Sequence, residues 1–236
     1  MKKILTLLFL AVSVFRTWGH DYTFVALENQ IVFEVCSEII QTLYERLDME
    51  ISVVYMPGNR AETESILGSV DGEVGRISTF ADGKPELIQV PTSYYQIETT
   101  AFALKDRNIQ IESPGDLTPY SIAVMRGVIN TDQLTKNNEN LYVFDNIGTM
   151  MQFIELGRAD MALTSKIGGL AALRKTGIKN VRPLPKPVVT RELYHYIHIS
   201  HSDLVPLIDS IIKEMKASGE LDELIKVTEE KILSRK

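Results

Sequence analysis

Residues 155–165 read ELGRADMALTS. A helix ends on Leu156-Gly157, a strand begins at Asp160, and a glycine-arginine-x-aspartate step joins them. Upstream, Ile147–Leu156 has apolar residues at helical spacing, with Asn146 or Thr149 placed to cap it. Downstream, Gly168–Lys175 reads as the next helix and Asn180–Leu184 leads into another strand. Further back, Ser121–Met125 and Leu141–Phe144 are strands, with Gly127 turning into a helix that starts over Asp132–Lys136. Strands alternating with helices in this way call for a parallel sheet covered by helices.

The first hundred residues repeat the pattern. Tyr22–Leu27 (YTFVAL), Glu50–Tyr55 (EISVVY) and Val70–Ile77 (VDGEVGRI) read as strands, separated by helices over Ile31–Leu47 and Arg60–Leu67. Leu87–Val90 is short and apolar, and Thr99–Lys105 is a further strand. At the far end Glu192–Ser200 (ELYHYIHIS) alternates like a strand. Two helices follow, Asp203–Ala217 with Ser202 as its cap, and Leu221–Leu233. One strand passes forward near residue 99 and one returns near 190. The expectation is an α/β fold of two lobes with a double hinge crossover: 20–98 plus 192–236 as lobe I, 101–189 as lobe II, and the hinge near 96–100 and 188–193. Ligands of such sheets sit beyond the carboxyl ends of the strands, which here means the cleft between lobes.

Lys2 and Lys3 precede Ile4–Phe15, an apolar run too short to span a bilayer. With Thr17 and Gly19 just before His20, residues 1–19 read as a signal peptide, and the mature protein is expected in the periplasm. The net formal charge is −6, and loss of Lys2, Lys3 and Arg16 leaves the mature chain more acidic still. That surface argues against nucleic acid or anionic membranes as partners. Cys36 is the single cysteine, so no intramolecular disulfide can form. It shares a helical face with Ile40, Leu43 and Leu47, as a core residue would.

Four stretches in order resemble the extracytoplasmic solute-binding proteins of family 3, whose type II periplasmic binding fold is typified by polar amino-acid binders. They are Val90–Tyr95 (VPTSYY), Ile111–Gly127 (IESPGDLTPYSIAVMRG), Phe153–Leu163 (FIELGRADMAL) and Leu193–Leu221. The resemblance implies a monomer that captures a small polar solute for an ABC-type permease or a membrane receptor, with no cofactor, metal or catalytic residue. Two other outcomes follow from the same fold: a cyclohexadienyl dehydratase-like enzyme, for which Glu28 and Glu73 are the acids to weigh, or a sensory module that acts by docking.

Two departures bear on the ligand. The family's "S-I-T-x-x-R" stretch, whose arginine holds a ligand carboxylate, is absent. The aspartate that holds the ammonium falls on Ser165. The remaining candidates are Arg76, a planar fork for an anion or else a partner for Glu73. Arg126 and Gly127, with the amides of the following helix, are also candidates, as are Asn130 and Thr131, which could bond a ligand or cap. Tyr94 and Tyr95 could stack on a ligand or pack the lobes, Glu28 could meet a cation, and Ser165 itself could hydrogen-bond. These donors favour an anionic or neutral polar ligand. Asp160 is read as tying the helix-to-strand turn. His195 and His198 fall on opposite faces of their strand, which argues against a shared metal.

Overall fold

Strand β1 (Tyr22–Leu27) lies parallel between β2 (Ile51–Met56) and β3 (Gly72–Arg76). This is a computed structural model that describes residues 22–235, and the expected leader at 1–19 lies outside the described residues. Helix α1 (Ile31–Glu45) connects β1 to β2 and helix α2 (Gly58–Ile66) connects β2 to β3. Val35, Cys36, Ile39, Ile40 and Leu43 recur at helical spacing on α1 and are fully buried against Phe24, Ala26 and Val74. On the opposite face Ala61 of α2 packs with Val25 and Val70.

The chain continues through β4 (Leu87–Gln89) and β5 (Tyr95–Leu104). Then follow β6 (Ile122–Met125), α3 (Ile129–Thr135), β7 (Leu141–Phe144), α4 (Ile147–Glu155), β8 (Met161–Ser165), α5 (Lys166–Thr176) and β9 (Val181–Pro183). β10 (Val189–His198), α6 (Leu204–Ser218) and α7 (Glu220–Ser234) complete it. The strand order is β2-β1-β3-β10-β5-β8-β6-β7. β10 divides the sheet: Val189–Leu193 pair antiparallel with Thr99–Tyr95 of β5, and Tyr194–His198 pair with β3 and β4. Each half has its own core. One gathers around α1, α6 and α7, the other around Phe102, Met150, Met151 and Ile154 beneath α4 and α5.

The ELGRAD turn forms as its residues suggest. Gly157 has φ +67°, a conformation that costs an L side chain but not glycine. Asp160 Oδ2 accepts from the Ser121 amide at 2.9 Å and its hydroxyl at 2.7 Å, and Oδ1 pairs with Arg107. Burial pushes this carboxyl up, but the Ser121 and Arg107 contacts outweigh it and hold it below the usual range. Asn146 caps α4, accepting from the Thr149 amide at 3.0 Å. Ser202 does not cap α6. It closes the 3-10 turn Ile199–His201, and α6 begins after Asp203 with no side-chain cap.

The pairing of β10 with β3 is irregular. Tyr194 stands opposite Arg76, and Tyr196 opposite Glu73. His195 alone therefore faces both Val74 and Gly75, which is a β-bulge. An extra residue breaks the alternation of side chains, so Glu73 and Arg76, three apart, emerge on one face.

In α5, Gly169 permits close packing of α5 on the sheet. A Cβ there would stand 2.2 Å from the Phe102 ring. Gly169→Ala is therefore expected to lower stability by about 1–3 kcal/mol through overpacking, despite alanine's better helix propensity. Urea unfolding checks this, and an unchanged midpoint would mean that the ring shifts freely.

Candidate functional site

Ser165 ends β8 opposite Thr99 of β5, and its hydroxyl accepts from the Gly168 amide at 3.2 Å. It is the N-cap of α5. The serine at this position thus starts a helix at the point where β5 enters the second half of the sheet. Ser165→Ala is expected to cost about 1 kcal/mol of stability, the usual value of a lost N-cap, read by urea unfolding. The next residue, Lys166, pairs with Glu98 of β5 at 2.7 Å. Ile167 then buries itself in the core of the first half, 5% exposed, beside Val32 of α1.

This arrangement leaves a cavity of 360 Å³ between α5 on one side and α1 and α7 on the other, with β5 as its back. The volume falls within the range of small-molecule sites. Ile97, Ile167, Leu170, Leu221 and Ile225 give it an apolar floor. Much of the remaining lining is polar, and several of those groups are engaged. Tyr95 donates to Glu229 Oε1 at 2.6 Å, and burial raises the Tyr95 phenol so that it stays protonated. Lys216 Nζ donates to the Ser93 carbonyl at 3.0 Å and lies 3.3 Å from its hydroxyl. Asp222 stands at the exposed rim.

Of the residues singled out in the sequence, Tyr94, Tyr95 and Ser165 line this cavity. Tyr94 is 1% exposed and donates to the Val74 carbonyl at 2.9 Å, so its hydroxyl belongs to the bulge. The others stand elsewhere. Arg76 holds Glu73 with two bonds, Nε to Oε2 at 3.0 Å and Nη2 to Oε1 at 2.9 Å, and lies 4.5 Å over the Phe80 ring. Glu28, exposed, borders a separate groove with Glu34, Glu38 and Arg235. Arg126 pairs with Asp145 at 2.7 Å on the surface. Gly127 turns with φ +72°. Thr131 is buried, its hydroxyl on the Val128 carbonyl at 2.9 Å. Asn130 donates to the Thr99 hydroxyl at 2.6 Å.

The cavity-lining residues Glu98, Lys166, Lys216, Asp222 and Glu229 were not singled out from the sequence. A partial signal existed on α7. Asp222, Ile225, Glu229 and Leu233 recur at intervals of three and four, so they share one helix face. Periodicity alone does not say what that face meets.

Among the described residues no group of three or more His, Cys, Asp or Glu side chains could hold a metal ion. No described helix is long and apolar enough to cross a membrane.

No family model matches the chain. An uncharacterized protein of Shewanella oneidensis is 26% identical over 198 residues, covering 78% of this chain and 72% of the relative. Among solved structures, the ligand-binding core of GluR0 in complex with L-glutamate superimposes with a TM-score of 0.71 at 13% identity, covering 89% of this chain and 98% of that one. A histidine kinase sensor domain with similarity to periplasmic binding proteins gives 0.65 at 13% identity, covering 87% and 94%. The amino acid ABC transporter substrate-binding protein AbpA of Streptococcus pneumoniae, bound to L-arginine, gives 0.65 at 15% identity, covering 90% and 97%. The chain has the two-lobed type II periplasmic binding protein fold.

Proposed function

We propose that this protein is a solute-binding protein that closes two lobes over a small polar solute. Lobe I comprises residues 20–98 plus 192–236 and lobe II comprises 101–189, with the hinge near 96–100 and 188–193. The observation that carries this reading is the cavity beside β5, walled by α5 on one side and by α1 and α7 on the other. A solute there touches both walls, so its contacts are complete only when the two walls are together, and binding favours the closed arrangement. The chain then delivers its solute to an ABC-type permease or presents the closed form to a membrane receptor. Proteins of this fold serve both ends, as the substrate-binding protein of an amino acid transporter and the sensor domain of a histidine kinase illustrate. For the transport or sensing role the protein must be exported. Mass spectrometry of the periplasmic form is expected to find a start near His20 or Asp21, and an intact Met1 in the cytoplasm would count against it.

Neither acid weighed for a dehydratase lines the cavity. Glu73 is clasped by Arg76, and Glu28 is exposed at the other groove. The geometry supports binding best.

The test is a thermal-shift screen of the mature protein against amino acids, organic acids, sugars and amines. A solute at a hundredfold excess over its dissociation constant is expected to add about 2.7 kcal/mol of stability. Leu170→Trp fills the cavity floor and is expected to abolish that gain. A stabilisation that survives Leu170→Trp would move the site elsewhere, and no stabilisation by any compound would remove the reading.

A further inference from the structure

The charges facing the cavity are unevenly satisfied. Its two lysines are occupied, Lys166 by Glu98 at 2.7 Å and Lys216 by the carbonyl and hydroxyl of Ser93. Its remaining carboxylates are not. Glu229 has Oε1 taken by Tyr95 and Oε2 free of protein partners. Asp222 makes no hydrogen bond or ion pair among the described residues. Both sit on the cavity face of α7, seven residues and therefore about 10 Å of helix apart. Between them the wall is hydrocarbon, with Ile225 on α7 and Leu170 on α5.

We propose that the solute taken by this cavity is a linear aliphatic diamine. One ammonium meets Glu229 at the inner end, the methylene chain lies along Ile225 and Leu170, and the second ammonium meets Asp222 at the rim. The Tyr95 hydroxyl holds the Glu229 carboxylate in place for the first contact. Charge-assisted bonds of this kind are the strong ones, and the chain between them gains by leaving water. An amino acid is disfavoured, because its carboxylate would find Lys166 paired with Glu98 and the Lys216 ammonium held by Ser93, and would face two acids. This departs from the anionic or neutral ligand expected from the sequence. That expectation rested on Arg76, which is held by Glu73, and on the amides after Gly127, which do not line the cavity, and it left out the carboxylates of α7.

The inference rests on the solute-binding reading and fails separately from it. Calorimetry on the mature protein compares cadaverine, n-pentylamine and lysine, which share one hydrocarbon body. Cadaverine is expected to bind tightest, with n-pentylamine and lysine each weaker by about tenfold or more. Glu229→Gln, which keeps an acceptor for Tyr95, is expected to weaken cadaverine by about tenfold or more. Asp222→Asn should bring cadaverine down to the level of n-pentylamine and leave n-pentylamine unchanged. Unaltered urea midpoints show that both variants fold. Lysine binding as tightly as cadaverine, or cadaverine binding unaffected by both substitutions, would overturn the diamine assignment. If cadaverine does not bind while another solute does, and that solute is lost in Leu170→Trp, the diamine is refuted and the solute-binding reading stands.

Discussion

Arg76→Ala is expected to destabilise the fold by about 3–5 kcal/mol, the usual cost of leaving a buried charge without its partner. Glu73 is 1% exposed and its side chain bonds to Arg76 at 2.9 and 3.0 Å. Burial pushes the Glu73 carboxyl up, while the charge and hydrogen bonds of Arg76 and the Ser65 hydroxyl pull it back. Without Arg76 only the upward push and the Ser65 bond remain. The carboxyl then folds most comfortably with a proton on it. A folded pKa raised further means stability that is full below the unfolded carboxyl pKa and lost as pH rises through the folded one. The deficit of Arg76→Ala should therefore shrink toward acid pH. Replacing the pair together, Glu73→Gln with Arg76→Met, should cost much less than Arg76→Ala alone, since no charge is then buried. Urea unfolding of the single and double variants at two pH values tests this. A loss under about 1 kcal/mol for Arg76→Ala would make the pair equivalent to a surface ion pair.

The second large effect is acid sensitivity centred on His195. Its ring is fully buried, with Nδ1 facing the Glu73 carbonyl at 2.8 Å and Nε2 lying 3.1 Å from the Tyr44 hydroxyl. A carbonyl can only accept, so Nδ1 carries the proton and Nε2 accepts from Tyr44, which makes the ring neutral. Burial drives the imidazole pKa down from 6.5 to about 4, against the two carbonyl contacts that favour the charged form. The unfolded chain therefore binds a proton that the folded chain refuses. This contribution to stability is complete above about pH 6.5 and is lost as pH falls toward 4, for a total of about 3 kcal/mol. His195→Gln cannot protonate. It should start less stable than the parent at neutral pH, and the gap should narrow by about 3 kcal/mol between pH 7 and 4. Denaturation curves across that range decide it: a gap that stays constant with pH would show that His195 is charged or exposed in the folded state.

Both effects arise at the same place, the bulge where His195 faces Val74 and Gly75. The place of His195 was not legible from the residues, and the Arg76–Glu73 pair was legible only as the alternative to anion binding. Alternation along VDGEVGRI puts Glu73 and Arg76 on opposite faces, and only the extra residue opposite β10 brings them together. The need for a bulge comes from a strand more than a hundred residues away, so no local pattern in β3 announces it. His195 was weighed as a metal ligand and set aside on strand geometry. The structure gives it a structural place, in which its ring satisfies the carbonyls that the bulge leaves out of the ladder.

What the sequence determined by itself was local and periodic. Apolar spacing placed each helix and strand to within a few residues. Gly157 and Asp160 shaped the turn from α4 into β8, and the restarted alternation of helices with strands, with one strand passing forward near residue 99 and one returning near 190, pointed to a two-lobed α/β fold. These follow from backbone sterics and from burying one face of each element, which neighbours in sequence decide. The tertiary structure decided the chemistry. It set Arg76 on Glu73, made Ser165 a helix cap, and turned the Asp222–Glu229 face of α7 toward α5. A side chain's charge and reach are written in its residue type, but its partner depends on which distant element packs beside it. That depends on registers and contacts that form only when both halves of the sheet are in place.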